Sequence, residues 1–264
     1  MMPVQVHQGS SPVVLGLPHT GTFVPDHIWT QLNVRGQELS DTDWHVHTLY
    51  DGLQGDVTTV RATFHRYVVD ANRDPSGASL YPGQNTTDLV PLTDFDGAPI
   101  WNSPVQDMDE RRSFHAAYHD ALQAELVRVK ALHGVAILYD CHSIRSQIPH
   151  LFDGTLPDFN VGTNMGTTCA HEIETAVFDT CQKAQGYTSV LNGRFKGGWT
   201  TRHYGRPDTG IHAIQMELAQ STHLQNETKD WAYDPIKAAR LRPHLFDILN
   251  SLAHQASQLK RVPS

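Results

Sequence analysis

The chain has 264 residues, with 20 Lys plus Arg against 28 Asp plus Glu and a formal net charge of -8. This excludes the broadly basic surface that nucleic acid or an anionic membrane selects, and the length suits one large α/β domain with a sizeable core. Cys141, Cys169 and Cys181 form neither a disulfide framework nor a CxxC zinc pattern, and MMPVQVHQGSSPVV lacks a basic start followed by an apolar core, so a soluble cytoplasmic protein is expected.

In chain order, Val13 to Leu17 predicts a buried strand followed by Pro18-His19-Thr20-Gly21. Thr42 to Leu53 predicts a helix, with Ser40 as N-cap and Asp41 and Asp43 set against the positive end of its dipole. Val57 to Thr63 and Arg66 to Ala71 read as strands, the second running into Asn72-Arg73-Asp74. Tyr81 to Pro104 lacks periodicity and reads as a binding loop or lid. Val105 to Leu132 predicts a long helix. Val135 to Asp140 is a strand that continues without glycine or proline into Cys141, His142 and Ser143. A second long loop is expected over Arg145 to Gly166, then a helix from Thr167 to Ala184, strands at Thr188 to Leu191 and His212 to Leu218, and a final helix from Pro235 to Leu259. No repeat or linker divides the chain. Interleaved strands and helices predict a single-domain α/β fold whose sheet is covered on both faces.

Ligands of open α/β sheets bind beyond the carboxyl ends of the strands. Four predicted strand ends carry polar or ionisable groups: His19, the Asn72-Arg73-Asp74 run, the Asp140-to-Ser143 run, and Glu217. These are the types a hydrolytic metal site uses: two histidines, an acid to complete the shell, a carboxylate base and an arginine for an anionic substrate group. A single histidine is more often a hydrogen-bonded core residue; two at separate strand ends point to metal. His19 and His142 are therefore the first two expected ligands, and Asp43 the third, with Asp41 and His47 as alternatives. In the predicted helix, Asp43 and His47 share a face.

Other patterns carry less. His115-Ala-Ala-Tyr-His119 puts two imidazoles on one helix face without the glutamate of HExxH, and His171-Glu172 lacks that motif's second histidine, so both read as structural or surface residues. Cys141 and Ser143 have no GxSxG context, and no P-loop or GxGxxG supports nucleotide chemistry.

Six blocks, "LPHTGTFVP", "DTDWHVHTLYD", "YVVDANRDPSG", "YDCHSIRSQIPHLFDGTLPDFNVGT", "NGRFKGGWTTRHYGRP" and "IQMELAQSTHL", lie in order from about Pro12 to Leu224. Together they resemble the N-formylglutamate amidohydrolases, a branch of the wider zinc carboxypeptidase and aspartoacylase group. The resemblance implies a mixed, mostly parallel sheet flanked by helices (phosphorylase/hydrolase-like, zinc-exopeptidase-like). It also implies zinc on His19, His142 and an acid, Asn72 and Arg73 facing the substrate, and Glu217 as general base. Related aspartoacylases take the acid ligand a few residues after the first histidine; here that stretch is Thr20-Gly21-Thr22-Phe23, which favours the later Asp43.

The expected reaction is metal-dependent hydrolysis of N-formyl-L-glutamate to formate and L-glutamate, with other transition metals able to occupy the same ligands. A dicarboxylate substrate needs at least two cationic partners, and beyond Arg73 the candidates are Arg145, Arg194 and Arg202, with Asn160 and Thr163 as further donors. Alternative readings are an amidase for another N-acyl amino acid or a peptide C-terminus, and a non-catalytic binder of acidic amino-acid derivatives; a binder has no need of Glu217.

Overall fold

The computed structural model describes residues 2–78 and 88–259. Its strands are β1 (Val4–His7), β2 (Val13–Leu17), β3 (Thr58–Ala62), β4 (Ala136–Ile144), β5 (Phe159–Gly162), β6 (Ser189–Leu191) and β7 (Ile211–Ala219). Its helices are α1 (Asp26–Trp29), α2 (Val46–Tyr50), α3 (Met108–His133), α4 (His171–Lys183), α5 (Trp199–Tyr204) and α6 (Pro235–Leu259). The strands form one seven-stranded sheet in the order β1-β3-β2-β4-β7-β5-β6. The β1–β3 and β5–β7 pairs are antiparallel and the others parallel, so the sheet is mixed.

Strand alternation divides the core in two. Val13, Leu15 and Leu17 of β2, with Ile137, Tyr139 and Cys141 of β4, pack under α2, α4 and α6. Val14, Ala136 and Leu138 face the other way, onto Tyr118, Leu122, Leu126 and Val129 of α3. Toward the start of α3 the buried residues are mostly polar, Arg111, His115 and His119 beside Tyr118, whereas further on Glu125 is the polar member of a mainly apolar stripe. The central strand β4 is buried along all nine residues, as expected of a parallel strand covered on both faces.

Several expectations are corrected. Arg66 to Ala71 is not a strand. Its amides close local turns, Val68 N–H onto His65 O at 2.9 Å and Asn72 N–H onto the Asp70 carboxylate at 2.8 Å, so no strand ladder forms. The helix expected from Thr42 shrinks to Val46–Tyr50, because Asp43 N–H bonds His19 O at 3.0 Å and His45 sits in the left-handed region at φ 60°. Ser40 is therefore no N-cap, and Asp43 and His47 share no helix face. The expected loop over 145–166 contains β5, while β1 escaped notice because its side chains are mostly exposed. The first part of the other expected loop, residues 81–87, lies outside the described residues. The remaining strands and long helices sit within a few residues of expectation, and α6 matches it end to end.

Several of the chain's histidines are buried and neutral. Burial lowers the pKa of His223 to about 4 and of His119 to about 3. An unfolded imidazole titrates near 6.5. The stability these groups contribute is therefore present above pH 6.5 and lost as pH falls toward 4, since only the unfolded chain takes up the protons in that window. In metal-free protein His142 and Glu217, whose pKa values are raised, act in the opposite sense, so the contribution is read as a difference: His223→Gln should lose less melting temperature than the unchanged protein between pH 7 and pH 5 in circular-dichroism melts.

Candidate metal centre and active site

β2 ends at Leu17 and β4 runs beside it past His142, so His19 and His142 emerge next to each other with ring centroids 5.0 Å apart. Asp43 reaches the same point because its amide hydrogen bonds back to the His19 carbonyl, and the turn behind it is pinned by His223, whose Nε2 lies 3.0 Å from Trp44 O. The Asp43 carboxylate then lies with Oδ2 3.4 Å from His142 Nδ1 and 3.8 Å from His19 Nδ1. All three side chains are buried, and one donor atom from each falls within 4.8 Å of the others. Donors of a tetrahedral zinc with bonds of about 2.0–2.2 Å stand roughly 3.3 Å apart, so the trio would close by at most about 1.5 Å to hold such an ion. Asp43 Oδ2 is buried with no hydrogen-bond partner among the described residues. A buried anionic oxygen without a partner is costly, and a cation between it and the two imidazoles satisfies it.

Each imidazole is oriented from behind by a second carboxylate. His19 Nε2 lies 2.7 Å from Asp70 Oδ1, which leaves Nδ1 toward Asp43. His142 Nε2 lies 3.1 Å from Asp140 Oδ1, close enough for charge attraction though not aligned as a hydrogen bond. Thr201 fixes Asp140 by donating to Oδ2 at 2.8 Å. A carboxylate behind each ligating imidazole is the arrangement that sets tautomer and basicity in metal sites. Burial and the nearby Arg66 lower the His19 pKa. At His142 burial also pulls downward, but the charges of Asp140, Asp43 and Glu217 win and raise it well above the usual value.

Glu217 stands beside His142 because β4 and β7 pair in the register His142↔Glu217 and Asp140↔Gln215. Its carboxylate accepts from Gln215 Nε2 at 3.2 Å, and Gln215 Oε1 in turn accepts from Gly198 N–H at 2.6 Å. Burial raises the Glu217 pKa above the ordinary carboxylate range, which is the direction a general base working near neutral pH requires.

These groups share a cavity of about 120 Å³. Its lining includes the trio, Glu217, Asn72, Arg73 and Arg194 from the expected set, together with Arg66, Phe95, Lys196 and Gly198. Arg66 is buried, donates to Asp70 Oδ2 at 2.6 Å and stacks over Phe95. Asn72 is clamped: Thr200 N–H donates to its Oδ1 at 2.9 Å, and a Cβ at position 198 would come within 2.3 Å of its amide, so Gly198 must be glycine.

Four expected substrate contacts lie outside that lining. Arg145 reaches away to Asp96 at 2.9 Å, and Arg202 Nε donates to the Gly197 carbonyl at 2.8 Å. Asn160 donates to the Glu217 backbone carbonyl at 3.0 Å, and Thr163 bonds the Glu174 carboxylate. Of the alternative acids and ligands, Asp41 Oδ2 accepts from Phe95 N–H, and His47 sits beside Arg61 in a separate groove with its pKa lowered by burial to about 4. The sequence reading missed Arg66, Asp70, Gln215 and a supporting role for Asp140. Asp70 and Asp140 were open to it, each being an acid embedded in an otherwise apolar run.

The family model for N-formylglutamate amidohydrolase matches residues 11–224. The chain is 42% identical over 251 residues to the N-formylglutamate deformylase of Pseudomonas aeruginosa, covering 93% of this chain and 94% of that protein. It is 43% identical over 233 residues to the N-formylglutamate deformylase of Pseudomonas putida, covering 86% of each. Its fold is similar to the crystal structure of an N-formylglutamate amidohydrolase from Ralstonia eutropha, with a TM-score of 0.80, 23% identity and 99% of each chain covered.

Two substitutions test the centre. Asp43→Ala should abolish stoichiometric zinc or cobalt binding by the metal-free protein in calorimetric titration. Asp140→Asn, which removes only the charge behind His142, should weaken it by about 10–100-fold.

Proposed function

The chain belongs to the N-formylglutamate amidohydrolase family, and from that premise we propose that it hydrolyses N-formyl-L-glutamate to formate and L-glutamate with one zinc ion held by His19, Asp43 and His142. The observation that supports the reading most strongly is the convergence, in one cavity, of this buried trio with a buried carboxylate and several cationic side chains.

Bound there, zinc would supply Lewis acidity toward the formyl oxygen and a lowered pKa for water. The remaining steps belong to this chain's side chains. Glu217 takes a proton from the water that attacks the formyl carbon and delivers it to the amide nitrogen as the carbon–nitrogen bond breaks, so glutamate leaves as an amine and formate remains. Arg66 is the cation best placed for charge developing on the formyl oxygen: it is buried, it lines the cavity, and its Nε has no partner among the described residues. Arg73, expected to face the substrate, suits a substrate carboxylate, its NH1 being steadied by the Asn72 carbonyl at 2.9 Å. Arg194 and Lys196 line the same cavity and suit the second carboxylate. We also place the protein in the cytoplasm, because its three thiols are free and buried, as suits a reducing compartment; no helix among the described residues is long and apolar enough to cross a membrane.

Purified protein should release formate from N-formyl-L-glutamate, lose that activity to a chelator and regain it with zinc. Preference for N-acetyl-L-aspartate would displace the substrate assignment while leaving the amidase chemistry standing. Glu217→Gln should lower kcat by about 10²–10⁴-fold and retain stoichiometric metal; wild-type turnover in that variant would remove Glu217 from the mechanism.

A further inference from the structure

The 65–73 segment carries Arg66, Asp70, Asn72 and Arg73, yet it forms no strand, so its buried carbonyls have no sheet partner. Such groups must be satisfied from elsewhere. One face of α3 does this. Arg111 NH1 donates to the carbonyls of Tyr67 at 3.1 Å and Val68 at 2.8 Å. One turn on, His115 Nε2 lies 3.0 Å from Arg73 O; one turn further, His119 Nε2 lies 2.8 Å from Ala71 O. The three donors recur every fourth residue, which puts them in a row on the helix.

The two histidines bracket Asn72, binding the carbonyls of the residues on either side of it. Those carbonyls only accept, so each Nε2 must carry the hydrogen. His119 Nδ1 is then a bare acceptor, and the Tyr204 hydroxyl stands 3.0 Å from it and 3.2 Å from the His119 carbonyl, with one hydrogen to share between the two. Rings of α5 close over the pair: Trp199 stands edge-on to His119 with centroids 4.8 Å apart, and Tyr204 stacks on it at 5.8 Å. With the flanking peptides fixed and its side chain held by Thr200, Asn72 presents a fixed carbonyl, and that carbonyl receives Arg73 NH1 at 2.9 Å.

We propose that His115 and His119, the helical pair with no place in the metal centre, are positioning residues for substrate recognition: as neutral Nε2–H donors they set the peptides around Asn72 and thereby the aim of the Arg73 guanidinium at a substrate carboxylate. The inference rests on the reading that Arg73 holds substrate. An imidazole suits the task because its Nε2–H donor sits at a fixed reach from the backbone, a reach that the Nε2 of a glutamine matches and the Nδ2 of an asparagine does not. Neither histidine touches the trio, but Asn72 Nδ2 lies 3.4 Å from His142 Nε2, so the test reads kcat and metal content alongside KM.

The test uses zinc-loaded enzyme and N-formyl-L-glutamate. His115→Leu and His119→Leu should each raise KM about tenfold or more, with kcat within about threefold of wild type and metal content unchanged. His119→Gln, which keeps an N–H donor with similar reach, should recover most of the wild-type KM; His119→Asn, polar but one bond too short, should not. In an Arg73→Met background His119→Leu should add little, because the group it aims is gone. An unchanged KM in the leucine variants, a glutamine variant as impaired as leucine, or a joint fall of kcat and metal content would each overturn the proposal. If the leucine variants fail to fold, the contrast between His119→Gln and His119→Asn decides it on the same terms. Arg73→Met with wild-type KM would instead overturn the underlying assignment of Arg73 to the substrate.

Discussion

The site depends on one buried carboxylate, that of Asp70. Its Oδ1 lies 2.7 Å from His19 Nε2 and accepts from Asn72 N–H at 2.8 Å, while its Oδ2 accepts from Arg66 at 2.6 Å. Burial alone would raise its pKa, yet the charges of Arg66, His19 and Arg73 hold it well below the usual carboxylate range. A fully buried anion is tolerable only with partners of this kind, so the surrounding chain is committed to supplying them. That commitment explains why residues 65–73 turn back on themselves. A strand would point alternate side chains to opposite faces, whereas here His19, Arg66 and the Asn72 amide must all meet the same two oxygens. One acid therefore links a candidate metal ligand, the cation suited to the oxyanion and the loop suited to the substrate.

The sheet supplies the other half. Pairing of β4 with β7 sets Asp140 opposite Gln215 and His142 opposite Glu217, so that four polar side chains share one face at the carboxyl ends of two central strands. On that face the first halves of the strands, Ala136, Leu138 and Ala213, are roofed by α3, and the polar halves extend beyond its apolar stripe. The same alternation that builds the core thus ends in the site, and a slip of one residue would turn ligand and base together into the opposite core. The short helix α5 closes the arrangement, giving Asp140 its Thr201 partner and Asn72 its Thr200 amide.

The features that could be read from sequence were those set by local chemistry. An apolar run ending in Asp140-Cys141-His142 is a buried strand with polar residues at its end, and β4 is that. The parts that could not be read depend on distant partners. Tyr67-Val68-Val69 is as apolar as a strand, but the segment is claimed by contacts with α3, β2 and α5 that sequence spacing does not encode. Thr42 to Leu53 has helical periodicity, but the His19 carbonyl takes the Asp43 amide and turns the chain there. Long cationic side chains were the least legible: Arg145 and Arg202 flank the site in sequence, yet one is drawn off by Asp96 and the other by a backbone carbonyl, while Arg66 went unremarked. An arginine's destination is fixed by whichever acceptor the tertiary structure brings within its reach.

Charge balance around the cavity shows how a divalent ion would suit these residues. Four carboxylates are buried around it, Asp43 and Glu217 in its lining and Asp70 and Asp140 behind the two histidines, and the buried guanidinium of Arg66 is already shared with Asp70. In a low-dielectric setting such an excess of negative charge must be met by protons or by a cation. Without an ion the side chains meet it with protons: His142 is pushed toward its charged form, and Glu217 is raised until it holds its own proton into the neutral range. A dication held by His19, Asp43 and His142 would take the place of those protons, since a ligating imidazole must be neutral and the added positive charge would favour ionised Glu217. An ion there would free the Glu217 carboxylate for the base role proposed for it, so the candidate ligands and the candidate base form a single electrostatic arrangement.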